Sequence, residues 1–260
     1  MDLAVLKRVL VLNAGSSSLK ASLLEVGRVA PLASTAIGWG ADATRVGDRA
    51  PAVERVIAEL VTDGGAALAG VGHRIVHGGE RFVAPVLIDD RVLAELDELA
   101  ALAPLHNPVA SDTVRAARAA LPRVAHVAVF DTAFHASLPP AAVIYPLPWR
   151  WHAEWGIRRY GFHGLSVAWS TRRAAELLGR PAEDLRLVVA HLGNGCSVSA
   201  VDGGRSVATS MGMTPLEGLM MGTRAGSFDP GIALRLLEDG RLSLAELAEE
   251  LEHGAGLLGV

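Results

Sequence analysis

Several stretches of this chain hold residue types that grip phosphate and carboxylate oxygens. Asn13-Ala14-Gly15-Ser16-Ser17-Ser18-Leu19-Lys20 places a glycine, three hydroxyls and a lysine together. Glycine lets the backbone turn tightly and approach a ligand. Hydroxyls and successive N–H groups bind phosphate oxygens, and Lys20 adds a point charge. The spacing is not that of a P-loop, and the turn joins two strands, so it is not a dinucleotide fingerprint either. An ordinary hairpin turn with a surface lysine fits the same residues. A second glycine turn, His191-Leu192-Gly193-Asn194-Gly195, ends a strand read as buried and leads into another hairpin. Two such loops at the same place in two similar halves point to a nucleotide held between domains; two unrelated hairpins are the alternative.

Arginine's planar fork suits carboxylate and phosphoryl oxygens. Arg74, Arg158, Arg159 and Arg224 all stand within two residues of a glycine or histidine. Asp131 ends the apolar run VAHVAVFD, at the loop end of a strand where sites form, or else it caps the turn that follows. His163 sits between an aromatic and a glycine in YGFHG. Asp131 and His135 have the interval of a helical metal pair, but Thr132-Ala133-Phe134 does not read as a helix. HExxH, zinc spacings, a GxSxG elbow and a glycosidase carboxylate pair are missing. Glycine turns, hydroxyls, Lys, Arg, His and one Asp remain, an inventory that stabilises the charge of a transferring phosphoryl group.

These residues need a scaffold. Residues 8–13 read as a buried strand and 19–26 as its hairpin partner; 38–50 read as a loop. Pro51 opens a helix to Leu60. A strand over 71–77 ends at Gly78-Gly79. Asp89 and Asp90 cap a helix whose apolar positions are Val92, Leu93, Leu96, Leu99 and Leu102. A helix over 109–120 and a strand over 124–131 follow. After the Pro/Trp-rich segment 145–155 the style repeats: a helix over 166–179, a strand over 185–193, a hairpin turning at Asp202-Gly203-Gly204, and helices over 230–238 and 243–252. This is an α/β chain of two related domains, 1–148 and 149–260.

Net charge is -4 with no basic stripe, which argues against nucleic acid. No apolar run is long enough to span a bilayer, and the N-terminus lacks signal-peptide order. The single cysteine, Cys196, allows no internal disulfide and fits a reducing, cytoplasmic setting.

Seven segments resemble the acetate kinase family, in the family's order: LNAGSSSLK (12–20), GHRIVHGGE (72–80), APLHNP (103–108), VFDTAFH (129–135), YGFHG (160–164), HLGNG (191–195) and TSMGMTPLEGLMMGTRAGSFDP (209–230). The resemblance implies the actin-like ATPase fold of sugar kinases, Hsp70 and actin (ribonuclease H-like), with duplicated domains closing over ATP. It implies reversible phosphoryl transfer between ATP and acetate, with Mg2+ or Mn2+ as metal and a homodimer as assembly. By the same resemblance Asp131, His163 and Arg224 are catalytic and Arg74 binds the carboxylate. Val76, Leu105, Phe162 and Pro215 line the acyl methyl pocket. Lys20, Ser16, Ser18 and residues 191–195 contact ATP, and Asn13 is linked to the metal. Acetate is already ionised at neutral pH, so the expected transfer is in-line and Asp131 positions more than it abstracts. A propionate or butyrate kinase is a variant of this reading.

The sequence departs from the family at Leu165-Ser166-Val167, where Thr-Ser-His is usual. It covers roughly two thirds of the family's usual length. The expectation is therefore a second domain truncated at its C-terminal end, short of the adenosine segment and a late metal-linked glutamate. A non-catalytic remnant with weak or no ligand binding is the competing expectation.

Overall fold

The computed structural model describes residues 7–15, 17–39, 48–62, 64–65, 68–104 and 106–260. They form two compact units, residues 1–131 and 132–260. The division falls after Asp131, whereas the sequence placed the junction at 148/149. The reason is that residues 133–137 pack with the second unit, where His135 Nδ1 lies 2.8 Å from Ser206 Oγ.

The first unit holds one six-stranded sheet. Its strands are β1 (Arg8–Ala14), β2 (Ser18–Glu25), β3 (Ala33–Gly38), β4 (Leu68–Ile75), β5 (Val86–Leu87) and β6 (His126–Phe130), in the order β3-β2-β1-β4-β6-β5. The first three make an antiparallel meander. β1, β4 and β6 are parallel, so their C-terminal ends lie side by side. Alternation along β1 buries Leu10, Leu12 and Ala14 on one face. That face packs on α1 (Ala50–Leu60) and α3 (Asn107–Ala120), through Val53, Val56, Ile57 and Leu60 of the first and Val109, Ala116 and Ala117 of the second. The α1 positions are three and four apart, the stripe a helix needs to cover a sheet. α2 (Asp90–Glu98) begins as the sequence reads: Asp89 Oδ1 accepts the Val92 N–H at 2.7 Å.

β3 falls in a stretch that the sequence left unassigned. Its residues ASTAIG are mostly exposed, as fits an edge strand without a hydrophobic signature.

The second unit opens with α4 (Pro140–Val143), α5 (Trp149–Trp155) and α6 (Gly164–Leu178). β7 (Arg186–Leu192), β8 (Cys196–Asp202) and β9 (Arg205–Thr209) then form a three-stranded antiparallel sheet. Gly203 and Gly204 turn the second hairpin with φ of 56° and 76°, the paired positive values of a tight two-residue hairpin. This meander repeats the path of β1-β2-β3. One reading needs correction: β7 is not buried. Among the described residues it pairs on one side only, and Val188 and Leu192 are 75% and 74% exposed. α7 (Pro230–Glu238) and α8 (Leu244–Glu249) follow, the latter opened by a capping box of Ser243 and Glu246. Among the described residues no helix is long and apolar enough to cross a membrane.

Candidate functional site

The three parallel strands of the first unit each carry a site residue at the C-terminal end: Asn13 next to last on β1, Arg74 next to last on β4, and Asp131 just past β6. Strand alternation and register put all three on one sheet face, because Arg74 is level with Val129, two residues before Asp131. Lys20 joins that face as the cross-strand partner of Asn13 and is exposed.

Arg74 is the hub. Its Nε lies 3.1 Å from both carboxylate oxygens of Asp131, and Nη2 lies 2.5 Å from Oδ2. Nη1 donates to Asn13 Oδ1 at 2.9 Å. The Asp131 side chain is 3% exposed, so this is a nearly buried charge held by its counter-ion. Burial opposes the Arg74 charge, but the attraction of Asp131 and its hydrogen bonds outweigh it and raise the guanidinium pKa. These bonds use three of the five guanidinium N–H groups, which leaves one on Nη1 and one on Nη2 for a ligand.

The loop after β1 is closed by Gly15 N–H donating to Ser18 O at 2.8 Å. It is braced by Trp39, whose indole N–H donates to Gly15 O at 2.8 Å and whose main-chain N–H donates to Ser17 O at 3.1 Å. Arg49 lies over the Trp39 ring and bonds the buried Asp112. Sequence reasoning missed Trp39; the only signal was an aromatic inside a glycine-rich stretch. Ser16 and Leu105 lie outside the described residues. Val76 is buried just beyond β4.

In the second unit His163 caps α6 with φ 61°, the one described non-glycine residue in the left-handed region. That backbone costs of order 1–2 kcal/mol and needs support from its surroundings. Its ring stacks on His191 with centroids 4.0 Å apart. Each ring is fixed by a serine: His163 Nδ1 lies 3.0 Å from Ser197 Oγ, and His191 Nδ1 lies 2.9 Å from Ser166 Oγ. Ser166 falls in the segment that departs from the family pattern, yet its hydroxyl is in use. Both serines escaped the sequence reading. The trace of Ser197 is an alternating Ser-x-Ser after the glycine loop, which aims two hydroxyls to one side of β8.

The loop 193–195 joins β7 to β8, with Leu192 paired to Cys196. Asn194 O accepts the Gly222 N–H at 3.1 Å, which ties this loop to the segment carrying Arg224. A Cβ placed on Gly195 would meet Arg224 Nη2 at 2.7 Å and His163 Nε2 at 3.5 Å. Two side chains, Arg224 and His163, thus converge on bare backbone. Arg224 Nη1 is fixed by donating to Pro215 O at 2.6 Å. Burial lowers the Arg224 pKa, with Glu252 and Cys196 opposing. Among the described residues no carboxylate forms an ion pair with Arg224, so this partly buried cation lacks the partner that Arg74 has. Phe162 is 2% exposed and its carbonyl lies 2.9 Å from His135 Nε2. Both ring nitrogens of His135 are therefore engaged within the second unit, which removes it as a partner of Asp131 for a metal.

The family model of the acetokinase family matches residues 8–260. The chain belongs to the acetokinase family. It is 48% identical to the acetate kinase of Leifsonia xyli subsp. xyli, over 97% of this chain and 68% of the relative. Its structure matches the crystal structure of Porphyromonas gingivalis acetate kinase with TM-score 0.86 at 37% identity, over 98% of this chain and 69% of that one. A propionate kinase from Francisella tularensis matches with the same TM-score of 0.86 at 35% identity, over 98% and 70%. The chain thus spans about two thirds of the length of these acetokinase relatives, and its mixed α/β sheets are those of the acetokinase fold. As phosphotransferases, members of the family use ATP and a divalent metal.

Among the described residues no three His, Cys, Asp or Glu side chains cluster as a metal cage. Oxygen donors are nevertheless present at the strand ends. Asn13 Oδ1 and the Asp131 carboxylate both keep lone pairs beyond those given to Arg74. That donor set suits a hydrated divalent cation of the hard, oxygen-seeking kind, which can take as few as one or two protein ligands.

Proposed function

We propose that this chain transfers a phosphoryl group between ATP and a short-chain carboxylate, acetate first, by direct in-line displacement. The observation that carries the reading is the second unit's anion seat. Gly195 leaves bare backbone beside Arg224 Nη2 and the His163 ring, and among the described residues no carboxylate forms an ion pair with Arg224.

Each residue then has a role. Arg224 and His163 offset charge on the transferring phosphoryl, whose oxygens carry the load in a loose transition state. His191 and Ser197 hold the His163 ring in place, and residues 191–195 hold nucleotide phosphate. In the first unit, the two remaining N–H groups of Arg74 bind the carboxylate, while Asp131 orients Arg74. Lys20, Ser16 and Ser18 serve phosphate. Val76, Leu105, Phe162 and Pro215 receive the acyl chain. Asn13 and Asp131 would hold the metal, which when bound neutralises phosphate charge. No general base is needed, because the carboxylate is ionised before it reacts, and Asp131 is already committed to Arg74.

The test is acetyl phosphate formation by the purified 260-residue chain, trapped as the hydroxamate, with acetate and propionate run in parallel. Product that requires ATP and acid is expected. Arg224→Ala should lower turnover by about 10²–10³-fold while shifting the acid's KM little. A native chain that neither binds ATP nor forms product would overturn the reading; a rise in KM alone would remove Arg224 from the transition state. Propionate is included because the acetate and propionate kinase structures match this chain equally well, and one methylene changes preference only modestly.

A further inference from the structure

Residues 210–229, between β9 and α7, contain neither helix nor strand. Irregular segments of that length in a compact unit are uncommon and tend to carry function. Pro215 and Arg224 both lie on this one. Its start is held by main chain, since Gly212 O accepts the N–H groups of Tyr160 and Gly161, each at 3.1 Å. Among the described residues, no main-chain to main-chain hydrogen bond holds 213–217. Side chains hold it instead.

Glu217 is the centre of that hold. Its Oε1 accepts from Arg159 Nη2 at 2.6 Å, and its Oε2 accepts from the Tyr145 hydroxyl. The same hydroxyl accepts the Met213 N–H at 2.9 Å. Arg159 Nη1 donates to Met211 O at 2.9 Å and to Ser210 O at 3.2 Å, and the guanidinium lies over the Tyr145 ring at 5.1 Å. Burial and the Glu217 carboxylate raise the Tyr145 pKa, which keeps the phenol a donor. Gly212 belongs to the same clamp: a Cβ there would collide with Glu217 Oε2 and with the Tyr145 oxygen at 2.2 Å. The clamp fixes both ends of 211–217, and between those ends the Pro215 carbonyl accepts from Arg224 Nη1 at 2.6 Å.

We propose that Glu217 is a positioning residue: through Arg159 and Tyr145 it sets the Pro215 carbonyl, and so holds the Arg224 guanidinium over Gly195. The proposal rests on the reading of Arg224 as the phosphoryl ligand, but its test is separable from that reading. The Arg224 Nε–H resonance of the 15N-labelled 260-residue chain is assigned by its loss in Arg224→Lys. Its exchange with solvent is then compared in native, Glu217→Ala and Glu217→Gln protein. Glu217→Ala should speed exchange about tenfold or more, as an anchored side chain becomes locally free. Glu217→Gln, whose amide oxygen still accepts from Arg159, should restore most of the protection. An Arg224 signal unchanged in Glu217→Ala, with or without a lower melting temperature, would overturn the proposal. Should Glu217→Ala fail to fold, Tyr145→Phe removes one hydroxyl from the clamp, and the same acceleration is required of it. Inorganic phosphate is titrated onto the native chain separately. A shift of the Arg224 resonance supports the underlying reading. No shift counts against that reading and leaves the link between Glu217 and Arg224 decided by the exchange data.

Discussion

Acid should loosen the first unit through a pair of buried histidines. His73 is 2% exposed, and its Nε2 lies 2.9 Å from His126 Nδ1. His126 Nε2 lies 3.2 Å from Leu121 O, and a carbonyl only accepts, so that nitrogen carries the proton. The His126 Nδ1 is then the acceptor, His73 Nε2 the donor, and His73 Nδ1 the bare lone pair. That atom is buried, with no hydrogen-bond partner among the described residues. Burial first, and His126 second, lower the His73 pKa from 6.5 to about 3. Between those values the unfolded chain holds a proton that the native chain refuses. Stability is therefore complete above pH 6.5 and falls as the pH drops toward 3. From neutral pH down to pH 5 the loss is about 2 kcal/mol, close to a unit and a half of pH at about 1.4 kcal/mol each. Amide exchange in β4 and β6 reads this unit directly. After correction for intrinsic rates, protection should fall by about 30-fold over that range. In His73→Leu most of the fall should vanish, while other titrating groups contribute equally to both proteins. The same pH dependence in the two proteins would refute the argument.

Three further outcomes follow from the geometry. Gly195→Ala places a methyl 2.7 Å from Arg224 Nη2, a flexible side-chain end; stability should change by about 1 kcal/mol or less, while phosphate affinity measured by calorimetry drops about tenfold. Gly161→Ala has no such escape, with φ 74° and a Cβ 2.6 Å from Thr209 Cγ2 and 2.8 Å from the His135 ring; left-handed strain and overpacking together should cost about 2–5 kcal/mol in chemical denaturation. Arg74→Ala strands the Asp131 charge and should cost about 3–5 kcal/mol; adding Asp131→Asn should recover part of that loss, and a strictly additive double mutant would contradict the pairing.

Local pattern reads well where one residue fixes one event. Leu10 and Leu12 alternate, Pro51 lies in the first turn of its helix, and Asp89 caps as its position requires. The reading fails where a neighbour decides. Val188 and Leu192 have the composition of a buried strand, yet burial depends on what stands beside β7 and not on β7 itself. The site divides the same way. Asp131 was legible as a strand-end residue, Asn13 and Arg74 as polar groups near glycine turns, and the motifs of all three carry the family resemblance. Their mutual bonding was not legible, because it follows from a parallel register between strands far apart in sequence. Trp39, Ser166, Ser197 and Glu217 act by holding other residues, and single polar or aromatic side chains of that kind leave no periodic trace.

The parallel order of β1, β4 and β6 also dictates a timetable. Each meander closes through short turns, so its ends meet early and at small entropic cost. Asn13 and Arg74 are 61 residues apart, and Arg74 and Asp131 are 57 apart. Contacts of such sequence separation form late, because long segments must be ordered before they add stability. During refolding the His163–His191 stack, joined through neighbouring hairpin strands and α6, should mature ahead of the Arg74–Asp131 pair. The Arg74–Asp131 ion pair would then mark a first unit that has finished folding.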